Sequence, residues 1–455
     1  MKTKNTFLKT VCALAIPVTL QSILQSSFSI VDQIMIGQLG SVSVAGVGLA
    51  GKFASIYSVI VSAVGAVAGI MISQYLGQKN KYEVKRSFGV NLLLGIVIAA
   101  LFTILCGLFP IQIMNLYTKD VATAKAAAEY LVVISLTFLP IAGATILSTL
   151  LRCMEMAQFP LYVSIVSAIA NTGLNYVLIF GKCGFMPMGA KGAAIATVIS
   201  QFLNFFLMLV VFCRKRTLLA ACDAAIVEKR SYHWRQYITM LLPILACEVA
   251  WSLGENVYAI IYGHMGTNQM AAMTLINPVQ GIVIGALCGL SQAAGVIIGK
   301  RLGSEEYEDA YISSKKLLWY GFVGSALLSV LVVLTANQYV GIYQVENGVK
   351  ELTKQILFAY ALIAPFKVLN MILGGGIIRS GGLTKYTMYI DIIGTWCFGV
   401  PFGLFAGFVL DLSIPYVYFI LSLEECIRFI ISLFIFRSRK WMNCLEASTE
   451  NQIGE

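Results

Sequence analysis

The chain has 455 residues, 58% of them hydrophobic and only 12% charged, with a mean hydropathy of +0.81. Soluble domains carry about 25% charged residues, so this composition excludes an ordinary soluble enzyme or binding module. The net charge of +10 does not point to nucleic acid, because the basic residues sit in short segments between apolar runs, and the eleven cysteines show neither a zinc-type spacing nor a disulfide framework.

Apolar runs of the roughly 20 residues that a bilayer requires recur along the whole chain. They predict an all-α membrane protein of twelve spanning helices, near 10–36, 47–76, 88–109, 122–150, 158–180, 190–213, 235–262, 270–299, 314–336, 348–378, 384–408 and 413–438. The first run follows Lys2, Lys4 and Lys9 but is too long for a cleaved signal segment. The domains read as an N-terminal six-helix lobe (1–213), a basic cytoplasmic linker (214–234), a C-terminal six-helix lobe (235–440) and a cytoplasmic tail (441–455). With an even helix count both termini share a side. The segments on that side hold 23 of the 32 Lys and Arg residues, whereas the opposite segments hold six. The positive-inside rule therefore predicts a multi-pass protein of the cell membrane with both termini cytoplasmic.

In the first span, Gln21, Gln25, Ser29 and Asp32 are spaced four, four and three, which puts them on one helix face. A carboxylate inside a membrane is costly and is by default a functional candidate. The fifth span offers Asn171 and Asn175 on one face, and the sixth offers Thr197; none of these carries a charge. Burial disfavours the charged form of a carboxylate, so Asp32 is a candidate to load and release a proton. Its oxygens, with those of the amides and hydroxyl, also suit Na⁺. A static polar network that fixes helix packing is the competing reading.

The seventh span carries Glu248, Trp251 and Glu255 on one face, with Tyr258 one turn further on. Two carboxylates and an aromatic ring suit an organic cation; alternatively, Glu248 or Glu255 pairs with Lys367 of the tenth span. Asp391 in the eleventh span is a weaker candidate, and Glu424 and Arg428, four residues apart, should pair locally. Both histidines, His233 and His264, fall in connections. No metal centre or cofactor site is expected. No hydrolytic His-Glu or Ser-His arrangement appears, so no enzyme is expected. No phosphate loop appears, because Gly299-Lys300 is followed by Arg301; a single-chain ATP-driven pump is excluded.

A repeat at a constant offset of 226 residues runs through both halves. It pairs Pro17 with Pro243, Gly37 and Gly40 with Gly263 and Gly266, Ala68-Gly69 with Ala294-Gly295, Leu76-Gly77 with Leu302-Gly303, and Tyr117 with Tyr343. The offset becomes 227 at Arg152 and Arg379 and stays so at Tyr162 and Tyr389. Each half would have six helices, giving a parallel repeat of the kind that secondary transporters rock about a central site.

These segments together resemble the multidrug and toxic compound extrusion (MATE) transporters, over about Leu8 to Trp441. The resemblance is carried by Ile16-Pro17, Val31-Asp32-Gln33-Ile34-Met35-Ile36-Gly37, Asn171-Thr172-Gly173-Leu174-Asn175, the Met188–Thr197 segment and Ile378-Arg379-Ser380-Gly381-Gly382. It implies export of amphipathic, often cationic, small organic compounds in exchange for H⁺ or Na⁺. It also implies a cation site that falls on Asp32, Asn171, Asn175 and Thr197. The second fifth-span position is acidic in that pattern and is Asn175 here, which favours a proton on Asp32 or a weaker cation site. The tenth-span acid of one branch is missing from Pro365–Asn370, so that branch's second ion site is not carried over. The substrate is expected between the halves, near Gln25, Glu248, Trp251, Glu255, Tyr258 and Lys367. The protein is expected to work as a monomer in the bilayer. A flippase for lipid-linked saccharides would want a more cationic cavity, and a non-transporting scaffold or receptor would gain nothing from the intramembrane acids.

Overall fold

A computed structural model describes residues 2–39, 41–182, 184–214, 234–343 and 345–446. Most of the expected basic linker, His233, Gly40 of the repeat and the end of the tail lie outside the described residues. Every regular element among the described residues is helical.

The long helices are α1 (Lys2–Gly37), α2 (Ser41–Gly77), α3 (Lys81–Leu108), α7 (Gln158–Phe180), α8 (Gly189–Arg214), α9 (Trp234–Met265), α10 (Thr267–Gly303), α11 (Tyr307–Gly341) and α12 (Asn347–Asn370). Between α3 and α7 lie α4 (Pro110–Asn115), α5 (Val121–Ser135) and α6 (Phe138–Cys153). After α12 the chain widens into a π-helical segment, Met371–Ile378. It continues through α13 (Lys385–Ile392), a second π segment (Ile393–Gly399), α14 (Val400–Leu404), a third π segment (Phe405–Val409), α15 (Ile414–Ser422) and α16 (Glu424–Arg437).

Local chemistry explains several boundaries. Asn80 caps α3 by accepting the Glu83 amide at 3.1 Å, and Asp120 caps α5 by accepting the Thr123 amide at 3.0 Å. Gly181 ends α7 in the left-handed region, at φ +66°. Between α5 and α6 the axis bends by 46°. Pro140 lacks an N–H and its ring crowds the Leu136 carbonyl, so a continuous helix breaks there.

Ten helices among the described residues are long and apolar enough to span a membrane, and the bent pair α5–α6 makes an eleventh. The protein is an all-α, multi-spanning membrane protein. The twelfth expected span, 413–438, is split at Leu423 into α15 and α16, and Glu424, Glu425 and Arg428 dilute its apolar character. His264, expected in a connection, instead lies in the last turn of α9, with Nδ1 2.9 Å from the Ile260 carbonyl oxygen.

The chain divides into two compact units. One contains the described residues of Leu20–Ile72 and Asn80–Ser231. Its core is built round Tyr57, which is fully buried, stacks on Phe138 with ring centroids 4.2 Å apart, and donates its hydroxyl to the Phe138 carbonyl at 2.5 Å. The other contains Thr19 and the residues before it, Ser73–Lys79, and the described residues from Trp234 on. Its core joins Tyr258, Ile261, Ile276, Ile356, Tyr360, Ile414 and Val417.

Candidate functional site

In the first unit, α1 and α7 are parallel and meet through two polar bridges with the same sequence separation. The Gln21 side-chain amide donates to Ser164 Oγ at 2.8 Å, and Asn175 Nδ2 donates to Asp32 Oδ1 at 2.7 Å. Each pair is 143 residues apart. From Asp32 the polar chain continues inward. Asn175 Nδ2 also donates to Asn171 Oδ1 at 3.2 Å, and Asn171 Nδ2 donates to Ser200 Oγ at 3.1 Å and to Thr197 Oγ1 at 3.5 Å. Asn171 and Asn175 are buried, whereas Asp32 is half-buried. The structure thus brings Asp32, Asn171, Asn175 and Thr197 into one hydrogen-bonded cluster. Tyr130 of α5 lies within electrostatic reach of Asp32.

Sequence spacing carries a signal for Ser164 but none for Ser200. Ser164, Ser167, Asn171 and Asn175 are spaced three, four and four, so α7 carries a polar stripe matching that of α1. Gln21 also accepts a hydrogen bond from Arg152 Nη2 at 2.9 Å. Gln25 is exposed and lines a cavity of about 260 Å³ with Gln21, Arg152, Ser164 and Asn204.

The second unit holds a denser charge network. Arg428 of α16 faces three carboxylates: Glu424 Oε1 at 3.5 Å, Asp391 Oδ1 at 3.7 Å and Glu425 Oε1 at 3.9 Å. It also donates to Thr395 Oγ1. The Tyr258 hydroxyl donates to Glu424 Oε2, and Asn370 Nδ2 donates to Glu425 Oε2 at 2.9 Å. Cys247 donates its thiol to Asp391 Oδ2 at 2.6 Å. The local Glu424–Arg428 pair is present as expected, but Asp391, read as a weaker candidate, belongs to the same network. Its ion-pair partner is 37 residues away on another helix, which no local spacing reveals.

The alternative pairing of Glu248 with Lys367 is not what is found. Glu248 Oε1 lies 3.9 Å from Arg379 Nη1, because the end of the π segment after α12 brings that arginine to α9. Lys367 lines two cavities and forms no ion pair among the described residues. One, of about 190 Å³, is shared with Glu255, Tyr258, Glu424 and Glu425. The other, of about 360 Å³, is shared with Glu248, Trp251, Arg379, Asp391 and Arg428. Three places therefore hold the six expected substrate contacts: Gln25 in one, Glu248 and Trp251 in another, Glu255 and Tyr258 in the third. Lys367 borders the last two.

A family model described as MatE matches the chain twice, over residues 17–177 and 243–405. The two matches begin 226 residues apart, the offset of the sequence repeat. The "Uncharacterized transporter YisQ" of Bacillus subtilis (strain 168) is 23% identical over 415 residues, covering 90% of each chain. A "Probable multidrug resistance protein NorM" of Thermotoga maritima is 23% identical over 436 residues, covering 95% of this chain and 93% of that one. The fold is that of a solved outward-facing multidrug resistance MATE family transporter of the MOP superfamily, with a TM-score of 0.86 at 17% identity and 95% coverage of both chains.

Proposed function

This chain belongs to the MatE family and is a secondary transporter rather than an enzyme, and on that premise we propose that Asp32 is the carboxylate that couples an inward-moving cation to export of a small organic compound. The observation that carries this is the Asp32–Asn175–Asn171 chain of hydrogen bonds, ending on Thr197 and Ser200. A charged acceptor makes a stronger hydrogen bond than a neutral one. A proton arriving on Asp32 weakens its bond from Asn175 and loosens α1 from α7. Loss of the proton restores it, so the occupancy of one carboxylate biases two arrangements of α1.

A proton fits this donor set better than Na⁺. The Asn175 NH₂ group points at Asp32 and at Asn171 Oδ1, so a bound Na⁺ would need the amide to turn its oxygen inward. The cluster also supplies a single carboxylate; its other oxygens, Asn171 Oδ1, Thr197 Oγ1 and Ser200 Oγ, carry no charge to balance a bound cation.

The exported compound is read as amphipathic and cationic. The smaller cavity of the second unit is lined by Glu255, Glu424, Glu425 and Lys367; with Arg428 engaging Glu424 and Glu425, three acids still face two bases, a balance that favours an organic cation and disfavours a phosphate-bearing saccharide lipid. Glu248, Trp251, Tyr258 and Gln25 are proposed as further contacts along its route. Twelve spans in two six-helix lobes, with the α15–α16 pair as the twelfth, both termini cytoplasmic and a monomeric working unit complete the reading. Purified protein in vesicles, given separate pH and Na⁺ gradients, tests it. Export of a cationic dye should follow the pH gradient and be lost in Asp32→Asn. Full gradient-driven export by that variant would remove Asp32 from the coupling role.

A further inference from the structure

The ends of α2 and α10 meet by a reciprocal contact that the repeat dictates. Gly77 leaves no room for a Cβ because the Lys300 carbonyl oxygen occupies it, and Gly303 is filled in the same way by the Gln74 carbonyl oxygen. Positions 74 and 300, and 77 and 303, are repeat mates. Ser304 Oγ adds a hydrogen bond to the Gly77 carbonyl at 2.9 Å. Two helices whose carbonyls fill each other's glycine positions part or stay together as a pair.

The segment after α16, residues 438–446, runs back over this contact. Trp441 anchors it: the side chain is fully buried, stacks on Phe436 at 5.7 Å and donates Nε1 to the Phe436 carbonyl at 3.1 Å. The Trp441 carbonyl oxygen fills the space a Cβ would need at Gly381, and Leu445 does so at Gly382, where φ is +76°. Beyond Trp441 the segment is held by α2. The fully buried Gln74 donates to the Ser380 carbonyl at 2.7 Å and the Asn443 carbonyl at 3.1 Å, and accepts the Leu445 amide at 2.7 Å. Gln78 donates to the Leu445 carbonyl at 2.8 Å, and Tyr75 to the Glu446 carbonyl at 3.3 Å.

We propose that residues 438–446 are a strap that holds the last turns of α2 against the end of α10 and has to release them in each transport cycle. A buried carboxamide costs free energy when it loses its partners, so Gln74 ties the strap to the state in which this contact is closed. Helix α2 is continuous over 37 residues, so whatever restrains its last turns restrains the helix. Alternating access requires helix ends packed on one face of the membrane to separate; the inference therefore rests on the transporter reading above.

The test uses a thiol already present. Gln78 Nε2 lies 3.2 Å from Cys444 Sγ. In Gln78→Cys protein, oxidation or a short bis-thiol reagent should join the two cysteines, and mass spectrometry identifies the link. Joined protein in vesicles should lose gradient-driven transport and regain it on reduction, while Gln78→Cys with Cys444→Ser, treated identically, should keep it. A joined protein that transports at the reduced rate would overturn the proposal. Absence of transport from the unjoined protein would instead count against the transporter reading. As a second measurement, the full chain with Gln74→Leu, which removes the amide that holds the strap, should label faster at Ser73→Cys with an impermeant thiol reagent; unchanged labelling speaks against the strap.

Discussion

Cys247 and Asp391 are joined at 2.6 Å at the positions where the other half of the repeat joins Gln21 to Ser164 at 2.8 Å. The 226 offset takes 21 to 247 and the 227 offset takes 164 to 391. The backbone relationship is therefore duplicated while its chemistry is not: a neutral amide–hydroxyl bridge in one half is a thiol–carboxylate bridge in the other. The next bridge diverges further. Asp32 meets Asn175, whereas its repeat mate Tyr258 turns to Glu424 instead.

Restoring a second acid beside Asp32 should change the ion that drives transport. Asn175→Asp supplies two carboxylates where one stands now, which suits Na⁺. Vesicle export should then respond to an imposed Na⁺ gradient. A response to pH alone would take Asn175 out of the ion site.

Arg428 should be a stability residue before it is anything else. Its removal leaves Asp391, Glu424 and Glu425 facing one another, and breaking a buried pair costs about 3–5 kcal/mol. Arg428→Met should unfold at markedly lower temperature in detergent. Arg428→Met with Glu424→Gln and Asp391→Asn should recover part of the loss, because the stranded charges are gone.

Glu255 and Lys367 share a cavity but are expected to act in opposite directions. Glu255→Gln should weaken binding of a cationic dye, measured by fluorescence on purified protein, whereas Lys367→Gln should leave it equal or tighter. Equal weakening by both would point to a packing role for the pair.

The Tyr57 hydroxyl offers a test of the first unit's core. Tyr57→Phe keeps the stack on Phe138 but removes the donor to its carbonyl, and should cost about 1 kcal/mol. Tyr57→Ala also removes the stack and should cost about 3–5 kcal/mol. Thermal melts in one detergent compare the two; equal losses would mean that the ring contributes nothing.

The helical runs were readable from sequence because hydrophobic length is a local property. The predicted 158–180 and 348–378 spans match α7 and the α12–π run. The polar stripe on α1 was readable for the same reason, since helical spacing alone puts Gln21, Gln25 and Asp32 on one face. Sequence could not reveal that Arg379 rather than Lys367 faces Glu248, or that Asp391 and Arg428 meet, because those contacts depend on how helices rotate against one another.

The sequence by itself determined a duplicated, membrane-embedded helical chain with an acid in its first span, because the bilayer dictates apolar length and forbids idle charge. Tertiary structure alone decided which polar groups find one another. Asn175 and Asp32 are 143 residues apart, and only the parallel packing of α1 on α7 places the amide on the carboxylate.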